Sequence, residues 1–133
     1  WLAVSTVSHR ILCGDFNTPR REYADGSLDT FARNHPDEFL RWDQAERRLL
    51  TGLKHWDLSD VFRTLNGYEN EEDSWFPVRR TGKPHRGHRL DHLYASVSMR
   101  AMRCEYVHGW RENGLSDHSA IEAIFDPVVV ARD

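Results

Sequence analysis

Three short stretches of the chain set acids, an amide or imidazoles beside apolar residues. "CGDFN" carries Asp15 and Asn17, "HRLDHLYAS" carries Asp91 and His92, and "GLSDHSAI" carries Asp117 and His118. Acid and amide side chains at strand ends suit catalysis, because a rigid strand fixes the group while the adjoining loop opens a cleft around it. If the three strands are neighbours, these polar groups converge. Carboxylates and an amide suit a hard, oxygen-preferring cation, Mg²⁺ or Mn²⁺, rather than structural Zn²⁺. They also suit water attack on a phosphate. In that chemistry Asp15 positions or deprotonates the water, Asn17 holds a non-bridging oxygen, and His118 stabilises the charge building on phosphorus. Asp91 fixes the tautomer of His118. The competing reading of each acid, taken singly, is a turn residue or helix cap. One chemistry that accounts for all three stretches weakens that reading.

Length and composition set the frame for these groups. At 133 residues the chain is a single domain, residues 1–133, or part of one. That is long enough for a core but short for an elaborate enzyme. Apolar residues make up 39% and charged residues 29%, which argues against disorder. The net charge of −3 carries no global signal for nucleic acid. A protein that meets phosphate at one place needs only a local positive field, however. Arg79 to Arg89 supplies one, with five cations, two His and no acid. Cys13 and Cys104 are too few for a disulfide framework and read as reduced, buried thiols of a cytoplasmic protein, with cross-strand pairing as the alternative. No apolar run approaches the roughly 20 residues of a membrane span, so no membrane partner is expected. No secretory signal is visible, and a chain that starts at Trp1 without Met reads as a piece of something longer.

The pattern of apolar residues then predicts the elements. Ile11 to Gly14 reads as a short strand buried on both faces. A helix is expected from about Pro36 to Leu50, with Pro36 at its first position, Asp37 and Glu38 in its first turn and Gly52 as its stop. Phe39, Trp42, Ala45, Leu49 and Leu53 would form its apolar face. A short helix over Ser59 to Leu65 would take Ser59 as N-cap. "SWFPV" is a strand candidate that Pro77 ends or pushes to an edge. Arg89 to Ser96 alternates, with Leu90, His92 and Tyr94 on one face and Asp91, Leu93 and Ala95 on the other. Cys104–Trp110 and Ala120–Phe125 are further strands. A strand, then helices, then several strands gives the class α+β, of the layered α/β sandwich type.

"GDFN", "RLDHLYAS" and "SDHSA", in this order, resemble the endonuclease/exonuclease/phosphatase superfamily of Mg²⁺-dependent phosphodiesterases and phosphatases. "DVFRTLNG" at Asp60 to Gly67 and "SWF" at Ser74 to Phe76 are similar to its exonuclease III branch. The likeness runs from about Ile11 to Phe125. It implies that Asp15 orients or activates the attacking water and that Asn17 contacts the scissile phosphate. It further implies that Asp91 pairs with the catalytic His118 and that Asp117 lies near the metal. Arg89, beside this set, is either a phosphate (substrate-binding) contact or a structural ion pair. The implied fold is a four-layer sandwich of two similar halves, a mostly antiparallel or mixed sheet in each, flanked by helices. The first half brings the principal metal-binding Glu, and a chain whose "GDFN" strand begins at Ile11 has no room for it. The chain therefore resembles the C-terminal half, with weak or no activity expected on its own.

A lone half leaves one sheet face wet. Another chain, possibly a second copy in a homodimer, or a missing N-terminal half is expected to cover it. In the branch that cuts abasic sites, an apolar pocket draws on positions held here by Ser74 and His88, so no such pocket is evident. Trp75 is read as core rather than as a base-stacking platform, and the basic loop Arg79 to Arg89 as the contact for a nucleic-acid backbone. His9, His35, His55, His92 and His108 are read as structural, and Cys13 as a small buried residue rather than a nucleophile. Three functions remain open: a DNA nuclease of exonuclease III type, a phosphatase or phosphodiesterase acting on a small-molecule or lipid phosphoester, and a non-catalytic interaction domain.

Overall fold

The computed structural model of the chain describes residues 9–77 and 86–126. Its centre is a three-stranded antiparallel sheet. Strand β1 (Ile11–Asp15) leads into a two-residue ribbon, β2 (Arg21–Glu22) and β3 (Leu28–Asp29). Helix α1 (Phe39–Gly52), strand β4 (Ser59–Asp60) and helix α2 (Val61–Asn66) follow. Strand β5 (Asp91–Ala95) lies between β1 and β4. Against β1 its register sets Ala95 opposite Ile11 and Asp91 opposite Asp15. Strands β6 (Ala101–Val107) and β7 (Ala120–Phe125) form a second antiparallel pair, with the one-turn helix α3 (Gly109–Glu112) between them. The described residues are thus a mixed α/β arrangement of small antiparallel sheets and few helices, α+β in the general sense. Among them no helix is long and apolar enough to cross a membrane.

The alternation of β5 separates two cores, as its sequence predicts. Leu93 and Ala95 pack with Val61 and Phe62 of α2 and with Cys104 and Tyr106 of β6. Tyr94, on the opposite face, packs with Leu53 and Leu58, and Phe16 and Leu12 close over it. The aromatic ring of Phe16 meets His92 and Tyr94 edge-on, with centroids 5.5 and 5.6 Å away.

Several local expectations are corrected. Residues Pro36–Glu38 form a 3₁₀ turn and α1 starts at Phe39, so the first-turn acids precede the helix. The α-helix ends at Gly52 as expected but not through a left-handed cap: the φ of Gly52 is −76° and the chain runs on into a 3₁₀ turn, Leu53–Trp56. The left-handed stop is Asp57, at φ 55°, whose N–H bonds back to Leu53 and Lys54. The inward face of α1 is apolar only toward its end, where Leu49 and, just beyond the helix, Leu53 pack with Leu58 and Tyr94 as expected; nearer its start it is polar. Glu46 is buried and accepts from the Thr18 hydroxyl and, at 3.0 Å, from the Phe31 N–H. Asp43 accepts from the Thr30 hydroxyl at 2.8 Å. The helix fastens two loops, and Phe39, Trp42 and Ala45 turn outward; Trp42 stacks on His35 at 3.9 Å. Helix α2 takes Asp60, not Ser59, as its cap, since the Asp60 carboxylate accepts from the Arg63 N–H at 3.0 Å.

Among the described residues strand β1 is an edge, not a strand buried on both faces. The elements that cover Leu93 and Ala95 stop short of it, so Ile11 and Cys13 are exposed and only Cys104 is a buried thiol; both cysteines are free. Trp75 makes isolated bridges to His88 and His118 rather than a longer strand. Those two bridges matter, because they stitch the approach to β5 onto the approach to β7.

Candidate functional site

The register of β1 on β5 brings two acids side by side. Asp15 ends one strand, Asp91 begins the other, and paired residues of an antiparallel ladder point to the same side. The bridge from Trp75 to His118 brings the third group over them. His118 Nδ1 lies 2.8 Å from Asp91 Oδ2. Each of Asp15, Asp91 and His118 offers a donor atom, and all of these lie within 4.8 Å of one another. Residues from three remote segments thus form one cluster. It is open to solvent, with Asp15 exposed and the other two half-buried.

Two forces act on His118. Burial disfavours its charged form, but the hydrogen bond and charge of Asp91, with the charges of Asp15 and Asp117, prevail and hold the imidazole above its ordinary pKa. Its Nδ1–H is given to Asp91, which leaves Nε2 as the atom able to meet a substrate.

Asn17 sits beside this cluster but not by strand geometry. The strand ends at Asp15, and Asn17 adopts φ 53° with its N–H donating to Asp15 Oδ1 at 2.8 Å. Extended backbone would have set both side chains on one strand face; a left-handed turn, which Asn tolerates, does so through a bend instead. Together with Phe31, Trp75, Leu90 and His118, Asn17 lines a cleft of about 390 Å³. The apolar wall that Ser74 and His88 do not supply therefore comes from Phe31, Trp75 and Leu90. Trp75 is neither plain core nor a free platform: its ring lies 6.3 Å from that of His118 and stacks on His88 at 6.0 Å. Phe31 meets His88 edge-on at 5.3 Å. Nothing in the sequence signalled Phe31, which lies far from all three polar stretches.

Asp117, read as a metal-side acid, is exposed and outside the set of converging donors, although its charge still reaches His118. Arg89 takes the ion-pair alternative. Its guanidinium is buried and donates to Glu22 from Nε at 2.6 Å and from Nη2 at 2.8 Å, and to Asp60 from Nη2 at 2.7 Å. Two buried carboxylates hold it, so it is not free to meet an anion. Arg63 joins it, 2.8 Å from Glu22. Burial alone would raise the pKa of Glu22, yet Arg89 and Arg63 bring it down to about 2. Asp60 is likewise held well below the usual carboxylate range against its burial, by Arg89 and His92. His92 is fully buried and donates from Nε2 to the Thr18 carbonyl at 2.7 Å, the structural role its strand face implied. Most of the basic loop Arg79 to Arg89 lies outside the described residues; within them, Arg86 pairs with Glu71 at 2.9 Å.

Further support for the site was not visible in the sequence. Ser74 is fully buried and accepts from the N–H groups of Leu90 and Asp91. His108 bridges Ser119 Oγ at 2.8 Å and Glu72 at 3.0 Å, and Arg111 donates to the same serine at 3.0 Å.

An α+β fold with a solvent-open acid–imidazole cluster at the ends of paired strands is as far as the class goes. No protein-family model matches the chain, and no curated protein matches it either.

Proposed function

We propose that this chain carries one half of a metal-dependent phosphodiesterase site, in the C-terminal half of a four-layer endonuclease/exonuclease/phosphatase fold, and that its substrate is DNA cut in the manner of the exonuclease III branch. The observation that carries the reading is the convergence of Asp15, Asp91 and His118 within 4.8 Å, with Asp91 bonded to His118. Asn17 and an apolar cleft open beside them.

The donor chemistry fits Mg²⁺ or Mn²⁺. Two carboxylates that lack a full protein cage suit an ion that keeps most of its waters. Asp15 and Asp91 would hold it, while Asp117 lies outside the converging donors. When bound, the ion supplies charge stabilisation at a phosphate oxygen. The protein's own groups do the rest. Asp15 accepts the proton of the attacking water. Asn17 donates from its amide to a non-bridging oxygen. Asp91 accepts from His118 Nδ1–H and so aims Nε2 at the phosphate, where a protonated ring donates to the developing charge. The cleft of Phe31, Trp75 and Leu90 takes the group next to the scissile bond. Exposed Ile11, Met102 and Ile124 on β1, β6 and β7 are positions that a second half or a second copy would cover.

One observation favours a smaller phosphoester instead. Arg89 is spent on Glu22 and Asp60, which leaves the described site without that cation for a polyanionic backbone. Incubation with Mg²⁺ or Mn²⁺ and either a blunt DNA duplex or bis(p-nitrophenyl) phosphate separates the two. Weak loss of duplex that Asp15→Ala and His118→Ala each abolish is the expected result. Cleavage of the small ester alone selects the second substrate class, and silence on both selects a fragment that is inactive without the other half of its site.

A further inference from the structure

We infer that Ser74 is the positioning residue of the Asp91–His118 pair, an inference that rests on the functional reading above for its catalytic consequence. The two site residues come from different sheets, Asp91 from β5 and His118 from the approach to β7. Asp91 and His118 can meet reproducibly only if something fixes the one strand relative to the other, and Ser74 touches both. Its Oγ accepts from the N–H of Leu90 at 2.9 Å and of Asp91 at 3.0 Å. Its carbonyl accepts from the N–H of Ser119, the residue after His118, at 2.7 Å. Its own N–H donates to the His88 carbonyl at 3.0 Å, and Trp75 bridges His88 on one side and His118 on the other.

The side chain is 0% exposed, so no water can replace the hydroxyl as partner of those two amides. A hydroxyl accepts twice where an alanine methyl accepts nothing. Removing it leaves the β1 ladder and the Tyr106 hydroxyl, which donates to the Asp91 carbonyl, as the remaining ties at the start of β5. With the Leu90 and Asp91 amides unpaired, the Asp91 carboxylate can drift from His118 while both residues remain. Misplacement on the order of 1 Å is enough to cost roughly 100-fold in rate. Glu72, His108 and Arg111 brace the same joint from below through Ser119.

The test compares the full chain with Ser74→Ala, Ser74→Thr and Ser74→Cys, the last filling the space with a poor acceptor. The first readout is the ¹⁵N-imidazole spectrum of His118 at one fixed pH, which reports whether Nδ1–H is held by Asp91. The second is kcat and KM for bis(p-nitrophenyl) phosphate with Mn²⁺. Folded Ser74→Ala should lose the held Nδ1–H signal and about 10- to 100-fold in kcat with KM little changed, and Ser74→Thr should restore both. If Ser74→Ala does not fold, Ser74→Cys takes its place with the same expectation. A folded Ser74→Ala or Ser74→Cys that keeps the wild-type His118 signal overturns the inference, whatever its stability. A wild-type chain without phosphodiesterase activity is the inactive-fragment outcome and removes only the kinetic readout; the imidazole spectrum still decides the positioning.

Discussion

Two clusters of acids and bases flank the start of β5, only two residues apart along the chain. Around Arg89, every strong charge is matched: Glu22 and Asp60 take the Arg89 guanidinium, Arg63 adds a second cation to Glu22, and all four side chains are largely sealed from water. Around Asp91 the matching is incomplete. Two carboxylates and one imidazole lie within 4.8 Å, Asp15 is exposed, and the imidazole offers one nitrogen to solvent. The residue types are nearly the same in both. What differs is whether the protein itself completes the charge. A complete, buried cluster fixes the fold, and an incomplete, open one is left for a ligand to finish.

The sharpest way to break the comparison is to remove one partner from the closed cluster. Arg89→Ala takes the guanidinium from buried Asp60 and leaves Glu22 with Arg63 alone, and should cost about 3–5 kcal/mol, measured by urea unfolding. Asp15→Ala should change stability by less than about 1 kcal/mol, because water already solvates that group. Equal losses would abolish the distinction. Acid probes the closed cluster from another side. Glu22 has a folded pKa of about 2, below its ordinary 4.5, so the stability it contributes is complete above the ordinary value. It is lost as pH falls from there through about 2. That loss is on the order of 3 kcal/mol, and Glu22→Gln should remove this part of the pH dependence.

The sequence and the structure agree best where chemistry is local. The alternation in β5 was readable because a strand's period is two, and it placed Leu93 and Ala95 in one core and Tyr94 in the other. The strand Ala120–Phe125 was readable for the same reason. The grouping of Asp15, Asp91 and His118 was legible as three acid- or imidazole-bearing strand ends, although only the β1–β5 register and the Trp75 bridges bring them together. The inward face of α1 was legible only toward its end, where Leu49 and Leu53 join the Tyr94 core. Apolar spacing pointed to Phe39 and Trp42, but the helix is held by Glu46 and Asp43 to loops that no helical period encodes. Arg89 stayed undecided until its partners were known, since Glu22 lies 67 residues away. Phe31 gave no signal because it acts through shape; Ser74 stood out only within "SWF" and as a pocket position, because its role runs through backbone amides.

The central claim is that the open cluster binds a divalent cation through its own side chains. Mn²⁺ titrated into ¹⁵N-labelled protein tests it, because a bound paramagnetic ion broadens the signals of nearby nuclei. The account predicts broadening centred on Asp15, Asp91 and His118, and its loss in Asp15→Ala while the fold is retained. Broadening absent from these residues, or unchanged in that variant, would contradict it.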